Sequence, residues 1–245
     1  MGSLKKIGVL GGTFDPPHLG HLKLATHFAK LFQLDALLLI PSGHPWQKEN
    51  VITSASVRLR LTEAAAIDLA RAFLYLQIPT RVGIDQIEVD RPGPSYAIDT
   101  ARELRQRFGN EANLIWLMGA DAFTNLPTWK HWQDLLSFMN FAVASRPEHS
   151  LHTELPPALA ELLAQHQCQS ASELENQACG EIFIDETLAV DVSSTALREQ
   201  LQNPATYDLA STSIHRTHWK LSRIWAYTGN QAKIGLLLKR KYGIT

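Results

Sequence analysis

Short, nearly continuous apolar runs recur along this chain and alternate with helix-like segments, an order that few folds can accommodate. The runs are Leu4–Leu10 (LKKIGVL), Asp35–Pro41 (DALLLIP), Asn113–Gly119 (NLIWLMG) and Phe141–Arg146 (FAVASR). Strands of a parallel sheet covered on both faces read this way, because neither row of side chains meets water. Between them, Leu24, Phe28 and Leu31 recur at helical spacing, as do Ala97, Ala101, Leu104 and Phe108. Strand and helix in strict alternation predict an α/β fold: a doubly wound parallel sheet with right-handed crossovers.

The remaining segments extend the pattern. An Ala/Leu/Arg-rich helix ends near Phe73, RVGIDQIEV (81–89) alternates like a strand, and EIFIDETLAV (181–190) reads as the last strand. Ser95 is expected to cap the helix that Gly109 stops. Residues 148–180 are polar, carry a Pro-Pro pair and read as a peripheral helical insertion. We expect an α/β domain over 1–203, with 204–245 as a basic helical extension packed on the same domain. From Leu209 onward there are seven Lys and Arg and no Asp or Glu, within a chain of 245 residues and net charge −1. Such asymmetry marks a polyanion contact, an intersubunit surface or a solvated face. No apolar run reaches the roughly 18 residues of a membrane span. Cys168 and Cys179 have neither disulfide-framework nor metal-ligand spacing, so free thiols in a reducing cytoplasm are expected.

The first strand runs into GGTFDPPHLGH, Gly11 to His21. In a doubly wound sheet, ligands bind beyond the carboxyl ends of the strands, where this loop falls. Glycines permit close backbone approach, and the N–H groups opening the next helix favour an anion. The loop matches neither common phosphate loop, having no Gly-Lys-Ser/Thr and no GxGxxG. It brings two imidazoles, His18 and His21, to a helix start instead. Late in the chain, DVSSTALR offers Ser193, Ser194 and Thr195 with Arg198 one turn on, hydroxyls and a guanidinium suited to polyphosphate.

GGTFDPPHLGH resembles the HxGH signature of the nucleotidylyltransferase superfamily, and its Gly-Gly-Thr-Phe-Asp-Pro part is similar to the bacterial nicotinate-nucleotide adenylyltransferases. DVSSTALR resembles their second motif. RPGPSYAIDT (91–100), MGADAFTNLPTWKHW (118–132) and ASRP (144–147) resemble three further segments, so that the likeness spans Leu4 to about Leu201. It implies a Rossmann-like nucleotidylyltransferase fold with C-terminal helices, and transfer of the adenylyl group of ATP to nicotinate mononucleotide. Deamido-NAD and pyrophosphate would form by in-line attack without a covalent intermediate.

The resemblance assigns His18, His21 and Arg198 to catalysis at the ATP phosphates, either as protonated or as donating imidazoles in the case of the histidines. Gly11, Gly12, Thr13, Phe14, Gly20, Gly119, Asp121, Ser193, Ser194 and Thr195 would bind ATP, with Asp121 on the ribose diol. An N-cap role is the local alternative for Asp121. Asp15, His44, Lys48, Tyr96, Ala97, Trp129, Lys130 and Arg146 would contact the acceptor, with Trp129 on the pyridine ring. No protein metal site is implied: Mg²⁺ would be held mainly by phosphates and water, and the histidine pair lacks a third ligand for zinc.

Three positions depart from the family pattern: Ala97 replaces a threonine, Lys130 stands where an aromatic is frequent, and Gln47 replaces a histidine. ATP and nicotinate mononucleotide are the expected partners, with no membrane and no nucleic acid, while a homo-oligomer stays open. The same chemistry on nicotinamide mononucleotide or another phosphate acceptor, and a non-catalytic nucleotide sensor, remain as alternatives.

Overall fold

A computed structural model describes residues 5–45, 53–145 and 155–188. Six strands form one sheet: β1 (Lys6–Gly12), β2 (Ala36–Pro41), β3 (Arg81–Ile84), β4 (Asn113–Gly119), β5 (Asn140–Ala144) and β6 (Ile182–Asp185). Their spatial order is β3-β2-β1-β4-β5-β6 and every pairing is parallel. The helices between them are α1 (Leu19–Leu31), α2 (Ala55–Tyr75), α3 (Ile87–Asp90), α4 (Ala97–Phe108), α5 (Ala120–Thr124), α6 (Pro157–His166) and α7 (Ala171–Glu175). This is the expected doubly wound α/β architecture.

The apolar runs become strands because both of their faces are covered. Along β4, Leu114, Trp116 and Met118 enter one core while Ile115 and Leu117 enter the other. Phe141 and Val143 of β5 separate from Ala142 and Ala144 in the same way. One core is filled by α1 and α2 through Leu24, Phe28, Leu69 and Phe73, the other by α4 through Ile98, Ala101 and Leu104. Each such large side chain contributes about 1.5–3 kcal/mol by leaving water. Helices α6 and α7 fall in the segment expected to be a peripheral insertion, and their Leu159, Leu163 and Leu174 are buried in these cores.

Two local expectations are corrected. The strand expected over 81–89 ends at Ile84, because the Asp85 carboxylate accepts the Ile87 N–H (3.2 Å) and turns the chain into α3. Ser95 does not cap α4, whose N-cap is Tyr96. At the other end Gly109 does stop α4, with φ of +81° that suits a residue without Cβ. Both cysteines are free, and burial pushes the Cys168 thiol up to about 11. No helix among the described residues is long and apolar enough to cross a membrane.

Strands β1 and β4 lie side by side although their outgoing connections run to opposite sides of the sheet. Ligands of this sheet type bind at that reversal, beyond the strand ends. The expected extension 204–245 lies outside the described residues.

Candidate active site

A cleft of about 430 Å³ opens where β1 and β4 end. Gly11 and Gly12 line it from the end of β1, Thr13 and Phe14 from the loop that follows, and His21 from α1. Gly119, Asp121 and Asn125 line it from the end of β4 onward; Ala97, Trp129 and Lys130 close another part. Widely separated parts of the sequence-derived site thus converge. Gly11, in β1, leaves room for the Trp116 ring of the neighbouring strand: a Cβ there would stand 2.8 Å from Trp116 Cζ2.

The HxGH segment builds its own support. His18 is the N-cap of α1, and the first turn holds no acidic residue to compete with an anion. The His18 N–H donates to Nδ1 of His21 (3.2 Å), the third residue of the helix. An N–H can be accepted at Nδ1 only through a lone pair, so in this geometry the His21 proton sits on Nε2. The His21 ring is fixed by an edge-on contact with Phe14 (5.0 Å) and by the His18 ring at 3.8 Å. Phe14 has φ of +49°, a left-handed conformation that costs a non-glycine residue about 1–3 kcal/mol.

On the wall formed by Ala97, Trp129 and Lys130, the Lys130 ammonium lies 4.2 Å above the Tyr96 ring, and Trp129 packs edge-on against Trp116 at 6.0 Å. Asp121 is exposed on the first turn of α5, while Gly119 holds the N-cap position. The capping alternative for Asp121 is thereby set aside.

Other sequence-derived residues stand behind or beside the cleft. His18 and Asp15 are buried and Gly20 is buried within α1. Tyr96 lies below Lys130, and the His44 side chain is exposed and is not part of the lining. Lys48, Arg146, Ser193, Ser194, Thr195 and Arg198 lie outside the described residues.

Three polar residues that sequence reasoning did not single out for the site hold the walls. The Ser95 hydroxyl accepts the N–H groups of Gly43 (3.0 Å) and His44 (3.1 Å), docking the loop after β2 onto the approach to α4. Arg58, 1% exposed, donates to the carbonyls of Thr13 (2.9 Å), Gly43 (2.8 Å), Thr53 (3.2 Å) and Ser42. Its position was readable: it falls on the same face of α2 as Leu61, Ala65 and Leu69, where a charge is out of place. Glu88 lines the cleft and accepts the Thr100 hydroxyl (2.8 Å).

Burial pushes the Glu88 carboxyl above the usual range, against the Thr100, Ser95 and Ser42 hydroxyls and Arg91, which favour its charged form. Since its pKa is higher folded than unfolded, its contribution to stability is complete below pH 4.5 and is lost as pH rises through the raised value. The melting temperature of the wild type relative to Glu88→Gln should therefore fall across that window. A difference independent of pH would show that the folded chain does not hold this proton more tightly.

The cytidylyltransferase-like family matches residues 9–200. A probable nicotinate-nucleotide adenylyltransferase of Herminiimonas arsenicoxydans is 35% identical over 197 residues, covering 80% of this chain and 85% of that protein. Its counterpart in Bordetella petrii is 38% identical over 164 residues, 67% of this chain and 76% of the relative. Among solved structures, Plasmodium falciparum nicotinic acid mononucleotide adenylyltransferase complexed with NaAD superposes with a TM-score of 0.64 at 13% identity, over 92% of this chain and 98% of that one. At that identity the likeness is one of fold.

Proposed function

Since the chain belongs to the cytidylyltransferase-like family and is 35–38% identical to probable nicotinate-nucleotide adenylyltransferases, we propose that it joins ATP and nicotinate mononucleotide into deamido-NAD and pyrophosphate. The observation that carries this reading is one cleft with a phosphate-seeking end and an aromatic, cationic end. At the first, His21 presents its Nε2 donor beside the Gly11–Phe14 segment, at the start of α1. At the second, Trp129, Lys130 and the opening of α4 at Ala97 form a wall suited to a pyridinium ring bearing a carboxylate.

The attacking group is a phosphate monoester whose second pKa lies near ~6, so it is already ionised at neutral pH. No general base is needed, and the work of the chain is alignment and charge stabilisation. The acceptor phosphate attacks the α-phosphorus of ATP, the bond from that phosphorus to the bridging oxygen breaks, and pyrophosphate leaves. The His21 Nε2–H donates to the α-phosphoryl oxygen on which charge grows. The backbone at Gly11, Gly12, Thr13 and Phe14 and the helix start behind Gly20 cradle the phosphates, with His18 and Asp15 supporting from below. Asp121, next to Gly119, accepts the ribose diol. Ser193, Ser194, Thr195 and Arg198 hold the polyphosphate from the other side, Lys48 and Arg146 serve the acceptor, and Tyr96 supports Lys130 from below.

Among the described residues no group of three or more His, Cys, Asp or Glu is placed to hold a metal, and the cleft lining offers only Glu88 and Asp121 as carboxylates. That donor set fits Mg²⁺ that arrives on the ATP phosphates and keeps its waters. Held there, it would supply neutralisation of the negative charge on the pyrophosphate.

Pyrophosphate release by the purified chain with ATP and Mg²⁺ tests the reading, with nicotinate and nicotinamide mononucleotide offered in parallel. The expected result is turnover with a clear preference for the acid. Equal or greater activity on the amide would overturn the specificity. Release with neither would overturn adenylyl transfer to a pyridine nucleotide.

A further inference from the structure

We propose that Arg58 is a positioning residue for adenylyl transfer: it grips the loops after β1 and β2 by their carbonyls and holds them in one fixed relation across the cleft. This rests on the function proposed above and adds to it a residue that touches neither substrate.

The case begins with what is unusual about burying a guanidinium. Arg58 faces the interior beside Leu61, Ala65 and Leu69, a place that apolar side chains usually fill. Desolvation works against its charged form, while the charges of Asp15 and Glu88 favour it. Among the described residues no carboxylate forms an ion pair with it. Its donors go to backbone carbonyls of three separate stretches: Thr13 after β1, Ser42 and Gly43 after β2, and Thr53 just before α2. Thr13 and Ser42 both line the cleft.

Peptide geometry shows what this grip achieves. In a trans peptide, the C=O of one residue and the N–H of the next point to opposite sides of the chain. Arg58 holds the carbonyls of Ser42 and Gly43, and the N–H groups on the far side of those same peptides, Gly43 and His44, both reach Ser95 Oγ. The loop after β2 is thus clamped from two sides, by Arg58 beneath and Ser95 opposite. The same relation at Thr13 turns the Phe14 N–H away from Arg58. It also anchors the peptide just before the left-handed Phe14, whose ring abuts His21. One planar cation with its donors in a fixed fork therefore sets the spacing between the phosphate loop and the loop facing it.

The test uses the full chain and begins with wild-type turnover of ATP with each pyridine mononucleotide. Its absence removes the functional reading and this proposal with it; the variants that follow bear on the proposal alone. Arg58→Lys keeps the charge but, as a point charge on a flexible stem, cannot span four carbonyls. We expect cooperative thermal unfolding to persist and kcat to fall about tenfold or more, by the same factor with the acid and the amide, with KM for ATP little changed. A loss confined to one acceptor, or residing in KM alone, overturns the proposal by marking Arg58 as a contact residue. Unchanged kcat overturns it as well. If Arg58→Lys does not unfold cooperatively, Ser95→Ala decides: it keeps the guanidinium and frees the other side of the same two peptides. It should lower kcat equally with both acceptors, and wild-type kcat in that variant overturns the proposal.

Discussion

Replacing His21 with alanine lowers kcat for adenylyl transfer by about 10²–10³-fold, with a much smaller change in KM for either substrate. The expectation follows from how the imidazole is held. Its Nδ1 is occupied in accepting the His18 N–H, and its ring lies between Phe14 and His18. The remaining nitrogen is thus a donor of fixed direction, and such a donor needs no reorganisation when charge develops on the reacting phosphoryl group. Alanine also deletes the bond to the helix start, worth about 1 kcal/mol, so activity alone would mix two effects. His21→Asn separates them. Its Oδ1 can accept the His18 N–H in place of Nδ1, while nothing reaches the position of Nε2. The asparagine variant should be as slow as the alanine variant, yet melt closer to the wild type. Wild-type kcat in the asparagine variant would reduce His21 to a capping residue.

The second large effect is expected at Gly43. A Cβ at this position would stand 1.9 Å from the carbonyl oxygen of Glu88 and 2.8 Å from its carbon, so backbone would be driven onto backbone. Relief by moving Gly43 is opposed on both sides, since its carbonyl is bonded to Arg58 and its N–H to Ser95. Gly43→Ala should therefore cost about 3 kcal/mol, lowering the melting temperature by about 6–12 °C for a chain of this size. Activity should fall beyond what the loss of folded protein accounts for, because the displaced loop lines the cleft through Ser42 and Pro45. Melting and kcat at a temperature where both proteins are folded check the two halves separately. A stable, fully active alanine variant would show that the contact between the loop after β2 and α3 is looser than described.

The sheet could be read from the chain because strands covered on both faces cannot hide: Asn113–Gly119 and Ala36–Pro41 have few ways to satisfy so many apolar residues other than a central parallel strand. The segment that lines the cleft after β1 stood out for a related reason, since glycines, prolines and histidines crowd one connection. Errors arose where a polar side chain serves a distant segment. Ser95 has the chemistry of a cap, but its hydroxyl is taken by Gly43 and His44, 52 and 51 residues away in sequence. Asp85 ended a strand that alternation would have continued. Arg58 and Glu88 left weak marks because their partners are carbonyls and hydroxyls of other loops, which no local pattern encodes. The tautomer of His21 was beyond sequence reading, since it depends on the extended backbone of His18 at the N-cap.

The most direct test that the acceptor phosphate attacks the α-phosphorus of ATP is to supply nicotinate mononucleotide carrying ¹⁸O in its phosphate, together with ATP and Mg²⁺, and to weigh the products by mass spectrometry. Attack of the acceptor phosphate on the α-phosphorus predicts deamido-NAD that retains all of the label, and pyrophosphate that carries none. Label in the pyrophosphate, or ATP consumed without a labelled dinucleotide, would contradict the account.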